Sequence, residues 1–168
     1  MQFVYDDGGR AAAGYKGNSG DCVARAIAIA AQMPYQQVYD AINDAAQAEK
    51  PRKRGKSSAR NGVLKTTTRR YMESLGWRWT PTMGIGTGCK VHLVDGELPA
   101  GRLVVSVSKH LTAVIDGVIH DTHDPQRSTT FYEDNVPVRT AGRCVYGYWE
   151  KVACPPAPPA STPCTAQF

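Results

Sequence analysis

Cys22 stands between a polar loop, Asn18-Ser19-Gly20-Asp21, and the apolar run "VARAIAIAA". A thiol in the first turn of a helix feels the positive end of the helix dipole, which favours the thiolate, the reactive form. A thiolate that is to attack an acyl carbon also needs a partner to take and return a proton, and an imidazole held by a carboxylate does this. The chain carries such a pair in "KHLTAVIDGVIHDTHD" (Lys109–Asp124). Asp116-Gly117 is a two-residue hairpin turn signal there. With that turn Ile115 faces Val118, Thr112 faces Asp121 and His110 faces His123. Alternation then puts His110, Thr112, Asp121 and His123 on one face, with Asp121 the diagonal neighbour of His110. The predicted roles are nucleophile for Cys22, general base for His110 and orienting acid for Asp121. His123 and Asp124 are the alternative partners of the imidazole, and a buried structural thiol is the competing reading of Cys22.

The elements that would bring these groups together are legible to different degrees. From Asp21 to about Gln32 only Arg25 interrupts small and apolar residues, the pattern of a helix in the centre of a domain. Pro34 suits the first turn of a second helix, with Tyr35, Val38, Ile42 and Ala45 recurring at helical spacing. A third helix is predicted over Val63–Leu75, closed by Gly76, with Leu64, Thr68, Tyr71 and Leu75 inward. Residues 1–20 read as a glycine-rich loop, Trp77–Trp79 as a short strand, and the segment after the glycine loop Met83–Lys90, up to Pro99, as a short helix. Arg102–Val107 and Arg143–Val152 read as strands flanking the hairpin. Helices first and antiparallel strands afterwards make an α+β domain over residues 1–152, followed by a flexible Pro-rich tail over 153–168.

At 168 residues, 42% of them apolar, the chain suits one domain with a true core. No apolar run is long enough to cross a bilayer and no secretory leader is recognisable, which predicts a cytoplasmic protein without a membrane partner. The five cysteines fit neither a zinc ribbon nor a dense disulfide framework, in keeping with a reducing compartment. Cys144 is expected to pack, Cys89 lies in the glycine loop as a second candidate reactive thiol with no base placed for it, and a Cys154–Cys164 pairing is the one disulfide considered. Gly84, Gly86 and Gly88 lack the context of a phosphate loop, and His120 and His123 lack helical zinc-ligand spacing, so neither cofactor nor metal is expected. The net charge is +5, and residues 50–70 hold nine Lys or Arg and no acid, with Trp77 and Trp79 close behind. This Lys50–Arg70 strip offers the alternative of a nucleic-acid-binding or catalytically inactive interaction module, or a dock for an acidic protein substrate.

In its motifs the chain resembles the papain-like (clan CA) cysteine peptidases. "GDCVARAIAIA" is similar to their nucleophile helix and close in texture to the helix start of OTU deubiquitinases. "KHLTAVIDGVIHDTHD" resembles the histidine and acid strands of the same group, including the small bacteriocin-processing peptidases. The likeness covers Gly17–Val38 and Arg102–Asp124. It implies a central nucleophile helix packed on an antiparallel sheet, a Cys22–His110–Asp121 triad, cleavage of an amide or isopeptide bond in a protein or peptide substrate (or acyl transfer), and a bacterial or phage setting. The group's oxyanion-donor Gln position is Lys16 here, and the Asp of OTU enzymes is Ser19. Asn18, or the backbone N–H groups of Asp21 and Cys22, are left to serve as oxyanion donors.

Overall fold

The computed structural model describes residues 1–50, 53, 55–127, 129–134 and 136–152. The described residues form three helices, α1 (Cys22–Ala31), α2 (Tyr35–Gln47) and α3 (Lys65–Ser74), and eight strands. The strands are β1 (Gln2–Tyr5), β2 (Trp77–Pro81), β3 (Arg102–Val107), β4 (His110–Ile115), β5 (Val118–Asp121), β6 (Thr129–Glu133), β7 (Val136–Ala141) and β8 (Val145–Lys151). Six of them make one sheet in the order β1-β5-β4-β3-β8-β2, and β6 and β7 pair separately. The architecture is therefore mixed α+β.

α1 is built for burial. Val23 through Ala30 are all buried, and the alanines let the helix lie close against the sheet, with Ile27 filling the gap at 0% exposure. Its end is closed from the sheet. Arg102 donates from Nε to the Ala30 carbonyl at 2.8 Å and from its guanidinium to that of Ile29 at 2.6 Å, satisfying carbonyls that a helix end leaves unpaired. α1, α2, Val104, Ala113 and Trp149 share one core cluster, and Leu103, Val105, Val114, Ile119 and Val145 share another with Leu93.

Four expectations are corrected. The first twenty residues are not all loop: β1 pairs with β5, Tyr5 opposite Asp121. That ladder is parallel, so the sheet is mixed and not antiparallel. The segment before Pro99 is not a helix. Leu93 is fully buried and donates to the Arg143 carbonyl at 2.8 Å, while Val145 donates to the Val91 carbonyl at 2.9 Å, so residues 91–93 bridge to the start of β8 and bends and turns follow to Pro99. On α3 the buried residues are Thr67, Thr68 and Met72, which turns the inward face by one position from that predicted. The β6–β7 hairpin has no counterpart in the sequence reading.

Gly147 in β8 has φ of 154°, and a Cβ there would lie 2.3 Å from the Trp79 ring and 2.7 Å from the Thr80 carbonyl. Neither neighbour can yield, because Trp79 packs on Trp149 at 5.2 Å and Thr80 is held in the β2–β8 ladder. Gly147→Ala is expected to cost about 2–3 kcal/mol through overpacking, read as a lower urea midpoint with unchanged slope.

Candidate active site

Asp21 precedes α1 and does not cap it with its side chain. Its fully buried carboxylate instead accepts from Arg10 Nε at 2.8 Å and Tyr35 Oη at 2.6 Å, and is paired with Arg25. Burial alone would raise the pKa of this carboxyl, but the Tyr35 hydrogen bond and the Arg25 and Arg10 charges outweigh it and hold the group below the ordinary Asp value. Two guanidiniums face one carboxylate, so the acid next to the thiol adds no uncompensated negative charge. Arg10 also donates to the carbonyls of Tyr15, Lys16 and Gly17, which ties the preceding loop to the helix start.

The hairpin has the register read from Asp116-Gly117: Ile115 faces Val118, Val114 faces Ile119 and Ala113 faces His120. Beyond these pairs the strand ends carry His110 and Asp121, with His110 Nε2 2.6 Å from Asp121 Oδ2. The other carboxylate oxygen accepts the Thr122 N–H at 2.7 Å and lies 3.8 Å from Arg25. Both side chains are nearly buried, at 10% and 4% exposure. With Nε2 engaged by Asp121, Nδ1 is the nitrogen left for Cys22, whose thiol at the start of α1 interacts with the His110 imidazole.

The charges are mutually adjusted. Burial disfavours the Cys22 thiolate, but the hydrogen bond from His110, the backbone N–H of Leu111 and the positive charges of His110 and Arg25 prevail, drawing the thiol below its ordinary pKa. Burial likewise disfavours the His110 imidazolium, but Asp121 and Cys22 push its pKa up to about 9. Asp121 is desolvated too, and its bond to His110 nonetheless holds it below the ordinary value. A thiolate–imidazolium pair is the form these shifts favour.

Cys22 and His110 open onto a cleft of about 990 Å³, whose wall includes Asn18, Lys65, Lys109 and His123. Asn18 is exposed at the cleft. The His123 ring stacks near His110, centroids 4.8 Å apart, with Nδ1 4.0 Å from Asp121. Asp124 is turned elsewhere, its carboxylate accepting from Gln126. His110, Asp121 and His123 bring ligand atoms within 4.8 Å of one another, a cluster with the donor types for a transition-metal ion that the spacing of His120 and His123 did not reveal. Two expectations for cysteine are overturned: Cys89 is neither free nor reactive and Cys144 is more than packing, because the two form a disulfide with Cα atoms 5.8 Å apart. The Cys154–Cys164 pairing lies outside the described residues. Sequence reasoning did not assign the roles of Arg10, Arg25 and Tyr35, although one Arg in an otherwise apolar helix was a signal, since a buried cation requires a partner.

No protein-family model matches the chain, and comparison with the curated proteins and with the solved structures finds no match. Among the described residues no helix is long and apolar enough to cross a membrane.

Proposed function

We propose that the cleft is the active site of a papain-like thiol hydrolase acting on an amide or isopeptide bond. The supporting observation is a nearly buried imidazole hydrogen-bonded to the carboxylate of Asp121 and interacting with the free thiol of Cys22. The Cys22 thiolate attacks the carbonyl carbon, and the developing oxyanion is met by Asn18 and the first-turn amides of α1. His110 gives its proton to the leaving amine, so the C–N bond breaks and a thioester remains. His110, now neutral, takes a proton from water as the water attacks the thioester, and thiolate and carboxylic acid product separate. Asp121 keeps Nε2 protonated and Nδ1 directed at sulfur throughout. An amine in place of water would give acyl transfer by the same steps. The Cys89–Cys144 bond weighs against the reducing, cytoplasmic setting expected from the sequence, because disulfides persist chiefly in oxidising compartments.

p-Nitrophenyl acetate tests the chemistry with minimal demand on specificity. The protein is expected to release nitrophenolate in a burst followed by turnover, with one acetyl group mapped to Cys22 by mass spectrometry. Cys22→Ala should abolish both, and a variant that hydrolyses the ester as fast as the parent would refute the proposal.

A further inference from the structure

A second hollow of about 500 Å³ opens off the cleft and shares Val23, Val63, Lys65 and Leu111 with it. Its interior is apolar: Val23 and Trp149 are buried beneath it, and Trp79, Met83 and Ile85 form the side away from the thiol. Met83 and Ile85 belong to the glycine loop, whose far end is fixed to the residue before β8 by the Cys89–Cys144 bond. Ile85 is fully exposed, an uncovered large aliphatic side chain at the rim of an apolar cavity. Lys65 and Arg69, one turn apart on α3, stand at the same rim. Both are exposed, and neither forms an ion pair among the described residues. Lys109 adds a further exposed cation on the cleft itself.

An apolar cavity joined to the reacting groups, with two uncommitted cations at its lip, suits a ligand that is apolar at one point and anionic next to it. We infer that the substrate of this site is an acidic peptide segment that places a large apolar side chain (Leu, Met or Phe) in the hollow and a neighbouring carboxylate on Lys65 and Arg69. The inference rests on the reading of the cleft as an acyl-chemistry site. A nucleic acid would use the same cations, but a base in the hollow would need polar groups to satisfy its edges. The wall offers chiefly hydrocarbon and aromatic surface, with Thr68, Ser106 and Tyr146 as the hydroxyl-bearing residues in it.

Binding to the full chain carrying Cys22→Ala separates this assignment from catalysis. Fluorescein-labelled hexapeptides are compared by anisotropy at low salt: glutamate-rich with one leucine, glutamate-rich with alanine in its place, and lysine-rich with one leucine, together with an oligothymidylate of similar length. The acidic leucine peptide is expected to bind at least about tenfold more tightly than each of the others, equivalent to about 1.4 kcal/mol. Lys65→Glu combined with Arg69→Glu should remove the advantage over the lysine-rich peptide, and Val63→Trp, which fills the hollow, the advantage over alanine. Equal binding of acidic and lysine-rich peptides, or tighter binding of the oligothymidylate, overturns the inference. Selective binding without hydrolysis by the parent protein would sink the hydrolase proposal and leave this assignment standing. Hydrolysis by the parent with no preference among the three peptides would do the reverse.

Discussion

Iodoacetamide at pH 6 is expected to alkylate Cys22 at least about tenfold faster than it alkylates the same thiol in the urea-unfolded chain. An ordinary thiol, with a pKa near 8.5, is under one per cent ionised at that pH. Cys22 is drawn below the ordinary value, so a larger share is thiolate, and the gain exceeds the loss of intrinsic nucleophilicity that accompanies a lower pKa. His110→Ala removes the donor and the positive charge but leaves the burial that opposes ionisation. The labelling midpoint should therefore move to alkaline pH, with most of the rate at pH 6 lost. Asp121→Asn should produce an intermediate profile, since the imidazole keeps a neighbour but loses the charge that raises its pKa. The folded Cys22 thiol labelling no faster than the unfolded one at pH 6 would count against an activated pair.

Asp21→Ala should be the most damaging substitution of a polar residue near the site, costing about 3–5 kcal/mol as two largely buried guanidiniums lose a shared carboxylate. That is a large part of the 5–15 kcal/mol usual for a whole domain, so thermal melting should fall by many degrees or the variant should fail to accumulate. Tyr35→Phe removes one hydrogen bond to the same carboxylate and should cost about 1–2 kcal/mol. The sign of the pH dependence follows from the shifts. Asp21 and Asp121 are held below the ordinary Asp value, so their contribution is present above it and is lost as pH falls through their lowered values. His110 is raised from 6.5 to about 9, so its contribution is complete below about pH 6.5 and is lost as pH rises through about 9. Urea midpoints across pH 3–10, with Asp21→Asn flattening the acid limb, would check this.

The parts of this molecule that could be read from sequence are those governed by local rules. Asp116-Gly117 fixed the hairpin register because a two-residue turn admits one pairing, and that register brought His110 to Asp121. α1 was visible because nothing but Arg25 interrupts its apolar run. What escaped depends on distant partners. β1 carries exposed side chains along its length and is a strand because β5 lies beside it. The stretch around Leu93 lacks periodicity because β8 satisfies its backbone. The Cys89–Cys144 bond joins a loop to a strand start across 55 residues, a closure that cysteine counting leaves undetermined. Arg10 is an unremarkable cation in a glycine-rich segment until its reach to Asp21 is seen.

That reach has a dynamic consequence. Arg10 holds three carbonyls of its own loop and the carboxylate of Asp21 at once, while Asp21 also grips Tyr35 of α2. A loop riveted in this way has no cheap local opening, since releasing it strands a desolvated charge. The amide of Tyr15, which donates to the Arg10 carbonyl, should exchange with deuterium at nearly the pace of the α1 interior, so that one cooperative unit spans what the chain presents as coil, helix start and second helix.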